Sequence, residues 1–136
     1  MEEKYELLSV VLKELQAKDT PYEIQPLNIN AEGLTYMKML QDNKFTMTYK
    51  GLSVWLPEPE AYTLHKVLIS SKRKDPAKKE KDLMSAISIG ELCLEYKTRR
   101  ERLKTIYVQL PGKWQRTISD VFKQLSPEIF SFLISG

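Results

Sequence analysis

The sequence predicts an α+β fold that is mainly helical, with a small antiparallel hairpin in its N-terminal part and a helical bundle in its C-terminal part. Alternating apolar and polar residues, the pattern of strands, occur before residue 57, whereas apolar residues recur at helical spacing after it. Proline and glycine divide the second part into segments of helix length. The chain of 136 residues has the size of one domain. We therefore expect one compact unit, in which residues 1–56 form an α/β part and residues 57–136 a helical part.

The predicted elements of the N-terminal part are a helix, a short strand and a second helix. Residues 3–17 carry apolar side chains on one helical face and charged ones on the other, and they predict an amphipathic helix that ends before Pro21. Residues 22–25 alternate apolar and polar side chains, so they predict a short strand at an edge or an end of a sheet. Residues 31–41 predict a short helix whose apolar face consists of Leu34, Met37 and Leu40.

A β-hairpin is predicted from Phe45 to Leu56. Apolar and polar residues alternate on both sides of Lys50-Gly51, and this dipeptide supplies the turn. Pro57 and Pro59 then end the second strand and start a helix that runs to about Arg73.

Helices are predicted for the rest of the chain. Asp75 is a good capping residue and Pro76 fits a first helical turn, so a helix starts there and runs to about Lys97. Thr98 is predicted to cap the next helix, which ends at Leu110. The last two helices are predicted over residues 114–125 and from Ser126-Pro127 onward.

Positive charge is concentrated in one part of the chain. The formal net charge is +3, whereas residues 72–104 hold eleven basic residues against six acidic ones, which is a net charge of +5. Such a concentration attracts phosphates in a salt-dependent way, which indicates nucleotide or RNA as a partner. The alternative is a set of solvated lysines and arginines at helix ends. The two basic clusters are Lys72, Arg73, Lys74, Lys78, Lys79 and Lys81, and then Lys97, Arg99, Arg100, Arg102 and Lys104, the second being a candidate for general RNA binding.

Several classes of function have no support in the sequence. The single cysteine, Cys93, excludes an internal disulfide, and the single histidine, His65, excludes a histidine-rich metal site. Cys93 lies between two leucines and is interpreted as a buried structural thiol. The sequence contains neither the glycine-rich signatures of P-loop and dinucleotide-binding proteins nor the G-x-S-x-G signature of hydrolases.

The chain is expected to be cytoplasmic, with no membrane partner. No apolar run approaches the roughly 20 residues of a membrane span. The first residues, Met1-Glu2-Glu3-Lys4, lack the apolar core of a signal peptide.

The most informative stretch runs from Val54 to Ala86. It leads from a strand into a proline-started helix that bears His65 and Lys66, and then through a cationic turn into a helix that bears Lys81-Asp82. If the two helices pack antiparallel, Lys66 and the Lys81-Asp82 pair lie at neighbouring heights, where they could bind an anion. Asp82 would then hold the lysine, cap neighbouring groups or accept a proton from a substrate hydroxyl.

Structural interpretations of these residues stay open. A histidine on an apolar helix face, such as His65, is typical of a hydrogen-bonded core residue. Lys66 could be a solvated cation, and Asp82 could pair with Lys78 four residues earlier. The aromatic residues Trp55, Tyr62 and Trp114 are most simply interpreted as core or interface residues.

The same stretch resembles the C-terminal part of bacterial nucleotidyltransferase-fold proteins of the DNA polymerase β superfamily. In that family a strand with a V-x-V-P-x-P-like motif leads to a helix with L-H-K, then to a basic turn and K-D-L-x-x-A. This sequence has Val54-Trp55-Leu56-Pro57-Glu58-Pro59, followed by Leu64-His65-Lys66 and Lys81-Asp82-Leu83. The segment Leu110–Arg116 is similar to a proline-glycine-tryptophan-arginine segment of the family, so the resemblance covers about Val54 to Arg116.

The resemblance implies a set of site residues. In the related abortive-infection toxins, a lysine on the first helix and an aspartate on the next belong to the active site, which implies catalytic roles for Lys66 and Asp82. It further implies that His65, Arg73 and Lys81 bind phosphate together with Lys66.

The sequence also departs from the family pattern. Glu60 stands where the family has an arginine, and Ser85 where it has a glutamine. The superfamily's catalytic signature, a G-S turn followed by a strand with D-x-D, holds two divalent metals for in-line nucleotidyl transfer, and this sequence contains neither motif. Glu58 and Glu60 are two residues apart, as the aspartates of D-x-D are, but they lie at the start of a helix that prolines initiate, where a metal pair is not expected. Glu23 is interpreted as a possible remnant carboxylate or as an exposed strand glutamate without a role.

Two hypotheses about function follow. The first is a nucleotidyltransferase-like domain, a fragment or a degenerate form, that binds nucleotide or nucleic-acid phosphate near Lys66, Arg73 and Lys81 and is not catalytic alone. In this hypothesis residues 1–56 are the remnant of the α/β part, and Mg²⁺ and a nucleoside triphosphate are implied only where the missing catalytic segment is present. The second is a protein-interaction or assembly module, the partner of a catalytic subunit, of the missing N-terminal half or of a toxin–antitoxin component.

Overall fold

The computed structural model describes the backbone of residues 31–135 and the side chains of residues 36–135. The predicted helix over residues 3–17, the predicted strand over residues 22–25 and Glu23 lie outside the described residues. Within them, the predicted class is confirmed, since six helices accompany a single antiparallel hairpin. The elements are α1 (Ala31–Asp42), β1 (Lys44–Tyr49), β2 (Leu52–Pro57), α2 (Pro59–Ser70), α3 (Pro76–Leu94), α4 (Lys97–Gln109), α5 (Gly112–Leu125) and α6 (Pro127–Ile134).

The hairpin has the turn that its sequence predicts. In its register Lys44 pairs with Pro57, and Tyr49 pairs with Leu52. The turn residues Lys50 and Gly51 have φ angles of 50° and 78°. A two-residue turn with positive φ at both positions matches the twist of the flanking strands, and it therefore sets the register of the hairpin.

The signals that start α2 and α3 act as predicted. Pro59 occupies the first turn of α2, and the Asp75 side chain caps α3 by accepting a hydrogen bond from the Ala77 amide at 2.9 Å. α2 ends at Ser70, and the chain turns there through a hydrogen bond from the Arg73 amide to the Ser70 carbonyl. Five residues therefore connect α2 to α3, which makes the two helices antiparallel neighbours.

Two local predictions are wrong. α4 starts two residues earlier than predicted, because the Tyr96 carbonyl accepts the first helical hydrogen bond, from the Arg100 amide at 2.9 Å, so Thr98 lies inside the helix rather than at its cap. Among the described side chains of α1, Tyr36 and Met39 are buried and Leu40 packs partly buried against the core, while Met37 is 44% exposed, so the predicted apolar face is wrong at Met37; the side chain of Leu34 lies outside the described residues. The packing of α1 against α2 decides this face, and periodicity over one short helix does not.

The core is built around α2. Ten of its twelve residues are buried, and it contacts α1, α3, α4 and α5. A helix that is covered on all sides carries its polar residues into the interior, where each needs a partner. Gly90 marks a close approach of α3, because a Cβ atom at this position would lie 3.1 Å from Thr63 Cγ2 and 2.8 Å from Ile129 Cδ1.

Candidate functional site

Lys66, Arg73 and Asp82 form an ion cluster between α2, the turn after it and α3. Lys66 Nζ donates a hydrogen bond to Asp82 Oδ1 at 3.2 Å, and Arg73 Nε donates one to Asp82 Oδ2 at 2.8 Å. The side chains of Lys66 and Asp82 are 9% and 6% exposed, whereas that of Arg73 is 37% exposed. Each carboxylate oxygen therefore binds one cation, and the arginine reaches the surface. These three residues are called the Lys66–Asp82–Arg73 cluster below.

The local fold explains why the cluster forms. Lys66 is the eighth of the twelve residues of α2, in its third turn, and Asp82 is the seventh residue of α3, in its second turn. Because α2 and α3 are antiparallel, the end of one helix faces the start of the other, as the sequence predicts. The Asp82 carboxylate therefore points across to Lys66 and back to Arg73 in the connecting turn, and its partners lie outside its own helix.

The cluster carries an excess of positive charge. Two cations share one carboxylate, so their formal charges sum to +1. Every residue from Ser71 to Lys81 is exposed, and this segment holds six basic residues against two acidic ones. An anion that approaches the cluster therefore meets a positively charged surface with Arg73 at its inner edge.

A cleft adjoins the cluster. It has a volume of about 670 Å³ and lies between α1, the hairpin and α2. Its walls include Lys44 and Trp55 of the hairpin and Tyr62, His65 and Lys66 of α2. The Lys66 ammonium lies 5.3 Å from the ring centroid of Tyr62, and the Lys44 ammonium lies 4.8 Å from that of Trp55. Lys66 thus belongs both to the cluster and to the cleft.

The remaining predicted site residues have different positions. His65 is half-buried in the wall of the cleft, and Lys81 is exposed at the first basic cluster, next to Asp82 in the chain. Trp55 was interpreted as a core or interface residue, and the core alternative is wrong, because its side chain is 65% exposed. Tyr62 is buried, and Trp114 packs edge-on against Tyr36 with ring centroids 4.7 Å apart.

A second set of ion pairs, which sequence reasoning missed, joins the start of α2 to α4. Arg99 Nη1 donates to Glu60 Oε1 at 3.1 Å, and Arg102 donates from Nε and Nη2 to the two carboxylate oxygens of Glu58 at 2.9 and 3.0 Å. Arg102 Nη2 also donates to Asn43 Oδ1 at 3.1 Å. The four residues Glu58, Glu60, Arg99 and Arg102 are called the Glu–Arg clamp below. The sequence offers only a weak signal for these pairs, namely two glutamates at one helix start and two arginines one turn apart on a later helix.

The clamp lies partly in the interior. Glu60 is completely buried, and burial raises the pKa of its carboxyl, an effect that the Arg99 guanidinium only partly offsets. Cys93 is also buried, and burial, followed by the nearby Glu60 charge, raises the pKa of its thiol. A thiol held in its protonated form is a poor nucleophile, which agrees with the interpretation of Cys93 as a structural residue.

The described residues do not form the two-metal site of the superfamily. Between residues 31 and 135, no group of three or more histidine, cysteine, aspartate or glutamate side chains is placed to hold a metal ion. The two glutamates with suitable spacing, Glu58 and Glu60, bind arginines.

Among the described helices, none combines the length and the apolar character that crossing a bilayer requires.

Comparison with known proteins places the chain in a family. A family model described as nucleotidyltransferase matches residues 5–111, which is well over half of the chain. No curated protein and no solved structure matches the chain significantly. The matched residues include the Lys66–Asp82–Arg73 cluster, the Glu–Arg clamp and every residue of the cleft wall. The chain therefore belongs to this nucleotidyltransferase family.

Proposed function

We propose that this nucleotidyltransferase-family chain binds the phosphate of a nucleotide or a nucleic acid at the Lys66–Asp82–Arg73 cluster. The observation that carries the proposal is the pair of cations on one carboxylate, which leaves a net positive charge beside an exposed basic turn. Lys81 adds charge at the surface, and His65 lies next to Lys66 in the wall of the cleft.

The chemistry of the cluster suits a phosphate. A guanidinium has five N–H donors, and the bond from Arg73 Nε to Asp82 uses one of them. Because the Arg73 side chain is 37% exposed, a phosphate can reach it from solvent. Charge-assisted hydrogen bonds of this kind are the strong ones in phosphate recognition.

We assign Asp82 a positioning role in this site. Both of its oxygens accept hydrogen bonds from cations, so it orients Lys66 and Arg73 for an anion rather than taking a proton from a substrate. Lys66 would contact the phosphate from the cleft side. By resemblance, these two residues would be this chain's share of a nucleotidyltransferase active site.

The chain is proposed to bind without catalysing nucleotidyl transfer alone. The metal-binding carboxylates of the superfamily follow a G-S turn and have the spacing D-x-D, and the sequence contains neither feature. The L-H-K and K-D-L motifs support a relation to the C-terminal part of bacterial abortive-infection toxins of the DNA polymerase β superfamily, in fragment or degenerate form.

Isothermal titration tests the proposal with ATP, CTP, GTP and a tRNA pool at low salt. We expect saturable binding of at least one of them, weakened by added salt. The variant R73A/K81A should bind it roughly tenfold or more weakly, since it loses charge-assisted contacts. The variant K123A, which removes an exposed lysine of α5, should bind as the wild type does. The absence of binding to every ligand, or an equal loss in K123A, would contradict the proposal.

A further inference from the structure

The cleft between α1, the hairpin and α2 has the properties of a small-molecule site. Its volume of about 670 Å³ lies within the range of roughly 300–1,000 Å³ that such sites have. Leu56 and Tyr62, which are 7% and 4% exposed, form an apolar part of the wall, while Lys44 and Lys66 supply positive charge. These walls complement a ligand that has a flat, weakly polar ring system and a negative charge.

Trp55 gives the cleft a ring for stacking. It lies on β2 and is 65% exposed, an unusual state for the largest aromatic side chain. The Lys44 ammonium, 4.8 Å from the centre of its ring, lies where it can meet an anionic ligand. Every nucleobase has a face that stacks on indole, and such stacking contributes about tenfold to affinity.

We propose that this cleft holds the base of a nucleotide, stacked on Trp55, while the phosphate is bound at the Lys66–Asp82–Arg73 cluster. The inference rests on the proposed function, because Lys66 belongs to both the cluster and the cleft and thereby links the two parts of the ligand. Lys44 adds a positive charge from the hairpin side. The proposal thus assigns recognition of the base to Trp55 and to the cleft that it lines.

The test compares ATP with inorganic tripolyphosphate, which has the phosphate chain without base or ribose. We expect the wild type to bind ATP about tenfold more tightly than tripolyphosphate in isothermal titration. The variant W55A should lose this preference and keep its affinity for tripolyphosphate. The matched control L52A removes another exposed side chain of the same strand, 68% exposed, and should keep the preference.

A second pair of variants tests the charge. Lys44 and Lys50 each lie over an aromatic ring of the same hairpin, Lys50 at 5.4 Å from the ring centroid of Tyr49 at the turn end. We expect K44A to weaken ATP binding severalfold and K50A to leave it unchanged. ATP should also quench tryptophan fluorescence in the variant W114F, where Trp55 is the remaining tryptophan, and the quenching should be absent in W55A.

The outcomes separate this inference from the proposed function. Equal affinities of the wild type for ATP and tripolyphosphate, or an intact preference in W55A, would overturn the assignment of the cleft and leave phosphate binding at the cluster in place. Failure of both ligands to bind would overturn the proposed function itself. A concentration-dependent dimer that W55A abolishes, with no preference for ATP, would identify a second copy of the chain as the occupant and would also overturn the inference.

Discussion

Asp82 holds two cations of different burial, and its removal is expected to destabilise the fold. In the variant D82N, Lys66 stays in a buried position without its counter-charge. We expect the free energy of unfolding to fall by about 3 kcal/mol, the lower end for breaking a buried ion pair, because Arg73 can turn to solvent. Urea denaturation measures the change. D120N, at an exposed position of α5, should change stability by less than about 0.5 kcal/mol. Equal stability of the two variants would show that Asp82 does not anchor the cluster.

Glu60 should give the protein a pH-dependent stability. Burial raises the pKa of Glu60 above its ordinary value of 4.5, so the folded state binds this proton more tightly than the unfolded state does. The contribution of Glu60 to stability is therefore fully present below pH 4.5 and is lost as the pH rises through the raised pKa. In urea denaturation, the free energy of unfolding of the wild type should fall relative to that of E60Q over this pH range. A difference that stays constant with pH would contradict the raised pKa.

Two pairs of charged residues show which contacts the sequence predicts and which it does not. Lys66 and Asp82 are joined by two consecutive helices and a short turn, so their proximity follows from local structure. Glu60 and Arg99 are 39 residues apart, and their contact depends on how α4 packs on α2. The sequence shows that both positions are charged, but a charged side chain is by default predicted to be exposed to solvent rather than paired with a distant residue. The Glu–Arg clamp could therefore be identified only from the structure.

At the scale of elements, the contacts of α3 with α2 and α6 depend on the absence of a side chain at position 90. In G90A, the new methyl group would lie 2.8 Å from Ile129 Cδ1 and 3.1 Å from Thr63 Cγ2. Overpacking of this kind costs about 1–3 kcal/mol, whereas replacing glycine by alanine in a helix gains up to about 1 kcal/mol. We expect a net loss of about 1 kcal/mol in the free energy of unfolding, measured by urea denaturation.

A double-mutant cycle identifies the cause of that loss. I129V removes the Cδ1 atom that meets the new methyl group, so it should cost less in the G90A background than in the wild type. S88A, at an exposed position of the same helix, should leave stability unchanged or raise it slightly. If G90A stabilises the protein as S88A does, the helices are not in close contact at this position.

The Glu–Arg clamp indicates a structural role for α4, whereas the hypothesis of general RNA binding treats the basic residues of this helix as an RNA-binding surface. R99A leaves the buried Glu60 without its counter-charge and is expected to lower the free energy of unfolding by about 3 kcal/mol. R100A loses a 3.5 Å hydrogen bond to the Leu94 carbonyl and should cost less than about 1 kcal/mol. Urea denaturation compares the two. Equal stability of R99A and R100A, with equal loss of RNA affinity, would instead support RNA binding by the second basic cluster.

Elements with strong local signals were predicted well. The hairpin and the start of α3 depend on a turn dipeptide and on a capping aspartate, both of which act within a few residues. The start of α4 and the buried face of α1 were predicted incorrectly, because neither has a dominant local signal and tertiary packing determines them. Trp55 was interpreted as a core or interface residue, and size and hydrophobicity alone do not decide between the two; its 65% exposure excludes the core.

At the scale of the whole molecule, the two basic clusters have different environments. The first is exposed throughout, and one of its residues, Arg73, binds Asp82 together with Lys66. In the second cluster, Arg99 and Arg102 bind glutamates of α2. A count of basic residues therefore underestimates the first cluster as an anion site and overestimates the second, because two arginines of the second cluster are already paired with glutamates. This difference favours phosphate binding at the start of α3 over binding on α4.

The most direct test of that account follows the side chains and amides by NMR during a titration with ATP at low salt. We predict that the Arg73 Nε–H signal and the backbone amides of residues 72–82 shift in a saturable way, with the affinity that calorimetry gives. The amide signals of residues 97–104 should not shift, because Arg99 and Arg102 of α4 are already paired with glutamates in the Glu–Arg clamp. Saturable shifts confined to residues 97–104, or no shift at Arg73 while ATP binds, would contradict a phosphate site at the Lys66–Asp82–Arg73 cluster.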